Sequence, residues 1–275
     1  MLTLANVIWG ARCGKSARRV LLGDTRSSGH AYSVRGARES AALRQAPHGL
    51  PSSRLVSTIL FDVWIESWRK KVAHGDVIVV RYADDLVVGF EHQTEAEQFL
   101  KAFQERLQKF GLELNDEKTR LIEFGRKAAL RRQQRGEGKP ETFTFLGFVH
   151  ICKQRRSNGS FTVGRETVRK RLRATLLRIR MALRARMHEP VKQVGGWLRS
   201  VVDGYFRYHA VPGNRDALSS FRHGVYRMWW HALSRRSQNG RVSAAAMARL
   251  GRRWLPYARV LHPYPSQRFN VLHPR

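Results

Sequence analysis

Acidic residues and cysteine are both scarce. The 275 residues include 21 Asp and Glu against 51 Lys and Arg, giving a formal net charge of +30 and an isoelectric point near 11.5. A balance this far from neutral bears on partners and solubility rather than on fold, and its natural partner is a polyanion, nucleic acid first. The 2 cysteines, Cys13 and Cys152, are too few and too scattered for a disulfide framework or a zinc site. No apolar run approaches the roughly 20 residues that span a bilayer, so no membrane partner is expected. Met1 to Trp9 lacks the basic start of a signal peptide. A reducing, nucleic-acid-rich compartment, the cytoplasm, fits these absences. The apolar fraction of 42% still permits a core.

A nucleotide loop is also missing. Leu2 to Trp9 reads as a short strand, and Gly10-Ala11-Arg12-Cys13-Gly14-Lys15-Ser16 follows it. A phosphate loop needs about four residues between its glycines so that backbone N–H groups wrap the phosphates; here there are 3. From Arg18 to Pro51 the composition is Arg, Ser, Gly and Ala with little periodicity, which reads as poor order. Residues 1–55 are therefore taken as a poorly ordered or unrelated segment.

What is present centres on Val77 to Phe90. Two β-branched runs flank the polar Tyr82-Ala83-Asp84-Asp85, which predicts a hairpin with two carboxylates at its tip. Adjacent carboxylates repel unless a cation holds them, and hard divalent cations prefer oxygen ligands. A solvated turn is the plainer reading, since Asp is a common turn residue. A helix over about Thr94 to Lys109 follows, opened by a Thr94–Glu97 capping box, with Ala96, Phe99, Leu100, Phe103, Leu107 and Phe110 on its apolar face. Before the hairpin, Phe61, Trp64, Ile65 and Trp68 lie on one face of another helix.

Tyr82-Ala83-Asp84-Asp85 resembles the catalytic motif of reverse transcriptases. Asp116-Glu117-Lys118-Thr119 is similar to that family's next strand, and Phe145-Leu146-Gly147-Phe148 looks like its primer-grip hairpin. Gly195 to Arg199, Tyr208 to Asn214 and Leu261 to Pro265 resemble the maturase domain of group II intron proteins. The resemblance runs from about Leu60 to the C-terminus. It implies an α+β chain: a partial palm over 56–151, an antiparallel sheet with helices on one face, then an all-α thumb and maturase domain over 152–275. It also implies an RNA-directed DNA polymerase that binds intron RNA to assist splicing and mobility. Asp84 and Asp85 would hold Mg²⁺ in a two-metal site, Lys118 would steady the triphosphate, and Tyr82, Phe145, Leu146 and Gly147 would contact primer or nucleotide. The family's fingers and first half of the palm, with a third carboxylate on another strand, have no counterpart here: neither Asp24 nor Asp62 sits in such a motif. The chain accordingly resembles a member truncated at its N-terminus. That leaves room for a dimer, or for a separate N-terminal half acting in trans, and for a second class of function, a non-catalytic basic RNA-binding module.

The remaining chain is basic. Gly125 to Pro140 reads as a loop with Arg131 and Arg132 among its cations, either a solvated linker or a contact to RNA. Arg165 to Met187 reads as a helix with Val168, Leu172, Leu176, Ile179 and Leu183 on one side. Its other faces carry Arg165, Arg169, Lys170, Arg173, Arg180 and Arg184, with only Glu166 opposing. Like charges at helical spacing destabilise an isolated helix by a few tenths of a kcal/mol per pair, which a bound polyanion offsets. The expected partners are intron RNA and a primer–template. Helices are further predicted from Pro190, over Asp216 to Arg236 with Trp229 in the core, and from Ser243 to Leu255. His209, His223, His231, His262 and His273 lack metal-ligand spacing and read as packing or RNA contacts.

Overall fold

The computed structural model describes residues 4–9, 63–82, 85–115, 117–155, 157–236 and 242–264. Asp24, Asp62, Ala83, Asp84, Asp116 and the segment from Gly10 to Pro51 lie outside them, as do the sequence readings that rest on those residues. The chain divides into two compact units, Met1–Glu141 and Thr142–Arg275.

In the first unit, β2 (Val77–Tyr82) and β3 (Asp85–Phe90) pair antiparallel, from Val77 opposite Phe90 to Tyr82 opposite Asp85, so the predicted hairpin is present. Strand β1 (Leu4–Trp9) runs parallel to β3 on one side and to β4 (Arg120–Glu123) on the other, giving the order β2-β3-β1-β4. The sheet is thus mixed rather than antiparallel throughout. Only β2 runs against the others, because β3 and β4 are joined by a crossover through a helix and such connections yield parallel strands.

That helix, α2 (Gln93–Gln108), and the earlier α1 (Trp64–Lys71) share one apolar cluster with the sheet. Ile65 and Trp68 of α1 and Ala96, Phe99, Phe103 and Leu107 of α2 are buried with Val77, Leu86, Val88 and Phe90. Phe99 and Phe103 each contribute about 1.5–3 kcal/mol of transfer free energy when buried this fully. The capping box does not form. His92 is the N-cap, Gln93 bonds Glu97 at 2.8 Å, and the buried Glu95 instead accepts the backbone N–H groups of His74 and Gly75 at 2.9 and 3.1 Å. The loop before β2 thereby competes for the helix start. Phe110, expected on the apolar face, lies past the helix end, exposed beneath the Arg106 guanidinium.

The expected loop after Gly125 is largely a helix, α3 (Arg126–Gln134). Its Arg, Lys, Ala, Leu and Gln are good helix formers, and ion pairs from Lys127 to Glu91 at 2.8 Å and from Arg135 to Glu123 at 3.1 Å hold it over the buried Ala128.

The second unit opens with a three-stranded antiparallel sheet, β5 (Phe143–Phe145), β6 (Phe148–Gln154) and β7 (Phe161–Thr167). Residue 151, where the sequence places the change of domain, falls inside β6, and β7 makes this part of the chain α+β rather than all-α. The helix expected from Arg165 begins only at Arg169: α4 spans Arg169–Ala185. The β-branched residues before it pair with β6, which places Arg165 opposite His150. Helices α5 (Val191–His209), α6 (Arg215–Ser234) and α7 (Ala244–Trp254) follow as predicted. Their core holds Val194, Leu198, Val202 and Phe206 of α5 with Leu218, Phe221, Val225 and Trp229 of α6. Ser243 caps α7 by accepting from the Ala246 N–H at 3.2 Å. Gly195 is needed for close approach, since a Cβ there would lie 2.7 Å from the Trp254 indole.

Arg222 closes the other end of α7. Its Nη2 donates to the Gly251 and Leu255 carbonyls at 3.3 and 3.2 Å, its Nε to Pro256 at 2.9 Å, and Tyr257 stacks on the guanidinium at 4.4 Å. Arg222→Met keeps the aliphatic stem and strands these carbonyls. It is expected to lower unfolding free energy by about 2 kcal/mol, read as a lower denaturant midpoint at unchanged slope.

Candidate functional site

Side chains alternate across a strand. Arg81, Val79 and Val77 share a face with Leu86, Val88 and Phe90, the face covered by α1 and α2. Tyr82 and Asp85 therefore belong to the opposite face, away from α1 and α2, at the end of the sheet. Tyr82 is 44% exposed, and Asp85 is half-buried. Asp84 lies between them in sequence, outside the described residues.

Lys118 comes to the same end of the sheet. It sits in the turn before β4 rather than within a strand; its N–H and that of Thr119 bond Asn115 at 3.0 and 2.8 Å. The register sets Arg120 beside Asn6 and Asp85 beside Leu4. Lys118, two residues before Arg120, therefore lies toward the same end of the sheet as Asp85. The arrangement brings one aromatic ring, one carboxylate and one ammonium to a single sheet end. It does not bring a second carboxylate from the neighbouring strands: β1 reads Leu4-Ala5-Asn6-Val7-Ile8-Trp9, and β2 has no acid. Among the described residues no group of three or more His, Cys, Asp and Glu could hold a metal ion. The Asp85 carboxylate is of the right chemistry for a hard cation, but the described residues alone do not complete a metal site.

Phe145, Leu146 and Gly147 belong to the second unit. Phe145 pairs with Phe148 around a two-residue turn in which Leu146 and Gly147 take φ of 47° and 80°. Two positive φ values in succession make the turn type that matches strand twist, and Gly147 occupies its second position without strain. The Gly147 carbonyl accepts from Val168 N–H at 3.1 Å, and the Leu146 carbonyl accepts from the Tyr208 hydroxyl at 2.8 Å. Arg171 lies over the turn, its Nη1 2.8 Å from where a Gly147 Cβ would be. Spacing alone does not assign Tyr208 and Arg171 to this turn.

Asn214 joins the sheet to the helices: its amide donates to Thr167 Oγ1 at 2.7 Å and to the His209 carbonyl at 2.8 Å, and its oxygen accepts from Thr167 N–H at 2.9 Å. Tyr205 stacks on Phe221 at 3.6 Å and on His209 at 4.0 Å. Burial pushes the Tyr205 phenol up to about 12, the Thr167 side chain pulling the other way. Burial chiefly lowers the His209 pKa, helped by the Arg171 charge and opposed by the Tyr205 carbonyl. A lowered folded value means that the unfolded chain takes up the proton first. Stability from neutral His209 is therefore complete above its ordinary value and lost as pH falls toward the lowered one. Thermal melting followed by circular dichroism should show a smaller drop between pH 7.5 and 5.5 in His209→Gln than in the unmodified protein.

The basic readings separate. Arg169, Lys170, Arg173, Arg180 and Arg184 are exposed on α4, as predicted. Arg165 is not on that helix: it lies on β7, only 3% exposed. Arg131 and Arg132 lie on α3 rather than in a loop, and Arg132 already meets Glu137 at 3.4 Å and the Gly138 carbonyl at 3.2 Å. The units differ sharply in charge: residues 142–275 contain 27 Lys and Arg against 4 Asp and Glu, while residues 1–141 contain 24 against 17. Among the described residues no helix is long and apolar enough to cross a membrane.

Residues 15–150 match the family model described as reverse transcriptase (RNA-dependent DNA polymerase). The match likens this part of the chain to a reverse transcriptase domain, a family that binds nucleic acid and generally uses Mg²⁺. It begins upstream of Leu60, where the sequence resemblance starts. No curated protein matches the chain.

Proposed function

We propose that this is a reverse-transcriptase-type protein of a group II intron: its second unit holds intron RNA to assist splicing and mobility, and its first unit carries one side of a polymerase site. The observation that carries this reading is the pairing of Tyr82 with Asp85 at one end of the sheet, on the face away from α1 and α2, with Lys118 toward the same end. Asp84 and Asp85 would hold Mg²⁺, which would supply positive charge to a primer 3′ oxygen and to departing pyrophosphate. Tyr82 offers an exposed ring for the primer end. Lys118 supplies positive charge for the triphosphate. Phe145, Leu146 and Gly147 form a rigid turn suited to gripping a primer. The exposed cations of α4 bind the RNA backbone.

A second reading, a non-catalytic RNA-binding module, is favoured by one observation: the strands flanking Asp85 present no partner carboxylate, and its neighbour on β1 is Leu4. Primer extension on an RNA template with Mg²⁺ separates the two. The chain by itself should extend no better than the Asp84→Ala/Asp85→Ala variant while still binding RNA. Extension lost in that variant would make it an autonomous polymerase.

A further inference from the structure

Between α4 and α6 runs a cleft of about 560 Å³. The helices come close at Gly224, where a Cβ would lie 3.0 Å from the Leu176 side chain. Leu176, the buried Leu183, Met228 and Ala232 make its floor apolar. Its rim is cationic: Arg180 and Arg184 from α4 face Arg227, His231 and Arg235, which recur every four residues along α6 and into its cap. All five rim side chains are exposed, and none has an ion-pair partner among the described residues. Four permanent charges around an apolar floor repel one another, and only an anion brought from outside offsets that.

The charge continues beyond the cleft. At about 100° per residue, Arg169, Arg173, Arg180 and Arg184 fall within about 60° of arc on α4, a stripe about 22 Å long. A stripe of that length suits a strand of several phosphates better than a mononucleotide. A duplex would use the stripe and rim but gain nothing from the floor, because its bases are stacked inside. Single-stranded RNA, by contrast, can splay out a base, and recognition of unpaired bases beside neutralised phosphates is its usual mode. The volume is in the range of a pocket for one small ligand.

We propose that the cleft between α4 and α6 takes one unpaired base of a single-stranded RNA segment, the base on the Leu176–Met228 floor and the flanking phosphates on the arginine rim. The inference rests on the RNA-binding role proposed for the second unit, and it adds the form of RNA and the place of contact.

The test is fluorescence anisotropy of the full chain with three probes: a 12-nucleotide oligoadenylate, the same strand with its central six bases replaced by abasic sites, and a 12-base-pair RNA duplex. Because the floor is aliphatic and thioether rather than aromatic, the intact strand should bind about fivefold more tightly than the abasic one, the low end for one seated base. Ala232→Phe, which fills the floor, should remove that preference while leaving the salt slope unchanged. Met228→Gln serves the same purpose if Ala232→Phe loses its helical circular dichroism. Arg227→Gln/Arg235→Gln should lower affinity for both single strands and flatten the slope by about one to two units. Equal binding of intact and abasic strands overturns the proposal, as does a preference that survives in both floor variants. Tighter binding of the duplex than of the single strand also overturns it and assigns the rim to duplex phosphates. Failure to bind any probe with a salt-dependent affinity would instead count against the RNA-binding role itself.

Discussion

Affinity for a structured group II intron RNA fragment should fall by roughly three to five powers of ten between 50 and 200 mM salt. The physical reason is counterion release: each phosphate neutralised by a side chain frees condensed cations, and six to ten such contacts give a loss of that size. The magnitude follows from where the charge lies. With 27 basic and 4 acidic residues, the unit from 142 to 275 has few internal partners for its cations. Its ion pairs include Lys153 with Glu166, Arg186 with Glu189 at 2.8 Å and the long Arg199–Asp203 contact at 4.0 Å, and among the described residues none involves Arg169, Arg173, Arg180 or Arg184. The first unit pairs more of its charge internally, as Lys127, Arg132 and Arg135 do around α3. Replacing Arg252 and Arg253 with Gln should change the slope less, because α7 lacks a continuous basic stripe and Arg253 lies over Trp254 at 5.3 Å. Filter binding at several salt concentrations gives the slope directly.

A hybrid polymerase should show the second large effect. An active reverse transcriptase whose corresponding segment is replaced by Val77–Glu141 of this chain should extend a primer. Adding Asp85→Ala to the hybrid should then cost about three powers of ten in rate or more, the scale of the several kcal/mol that a metal-held charge contributes to a transition state. The junction at Glu141 leaves the sheet of β5, β6 and β7 whole in the host protein. The hybrid supplies from its host the partner carboxylate that β1 and β2 do not offer beside Asp85. A hybrid that folds and binds primer–template but never extends would mean that the Tyr82, Asp85 and Lys118 side of the site is itself defective.

These expectations draw unequally on sequence and structure. The β2–β3 hairpin was legible because two β-branched runs flank a short polar break, and α5, α6 and α7 because their apolar residues repeat at helical spacing and Pro190 and Ser243 mark two starts. Helix α3 was not, since only Ala128 is fully buried and its stability comes from ion pairs to Glu91 and Glu123, far away in sequence. The start of α4 is not legible because Arg165 and Arg169 keep a helical four-residue spacing. Pairing of β7 with β6 overrides that local pattern, as the turn at Gly159, with φ of 66°, allows. The place of β1 between β3 and β4 depends on parallel contacts across more than 75 residues, for which the sequence has no local sign. At the site, the identities of Tyr82, Asp85 and Lys118 were readable, whereas their common sheet end follows only from the register. The reach of Tyr208 and Arg171 to the turn at Leu146 and Gly147 likewise needed the folded chain.

The most direct measurement is the salt dependence of intron RNA binding in a variant with Arg169, Arg173, Arg180 and Arg184 all changed to Gln. If each meets one phosphate, the slope of log K against log salt should flatten by about three units, with helical circular dichroism retained. An unchanged slope in a folded variant would contradict the assignment of the RNA surface to α4, and a weak slope already present in the unmodified protein would remove nucleic acid as the reason for its charge.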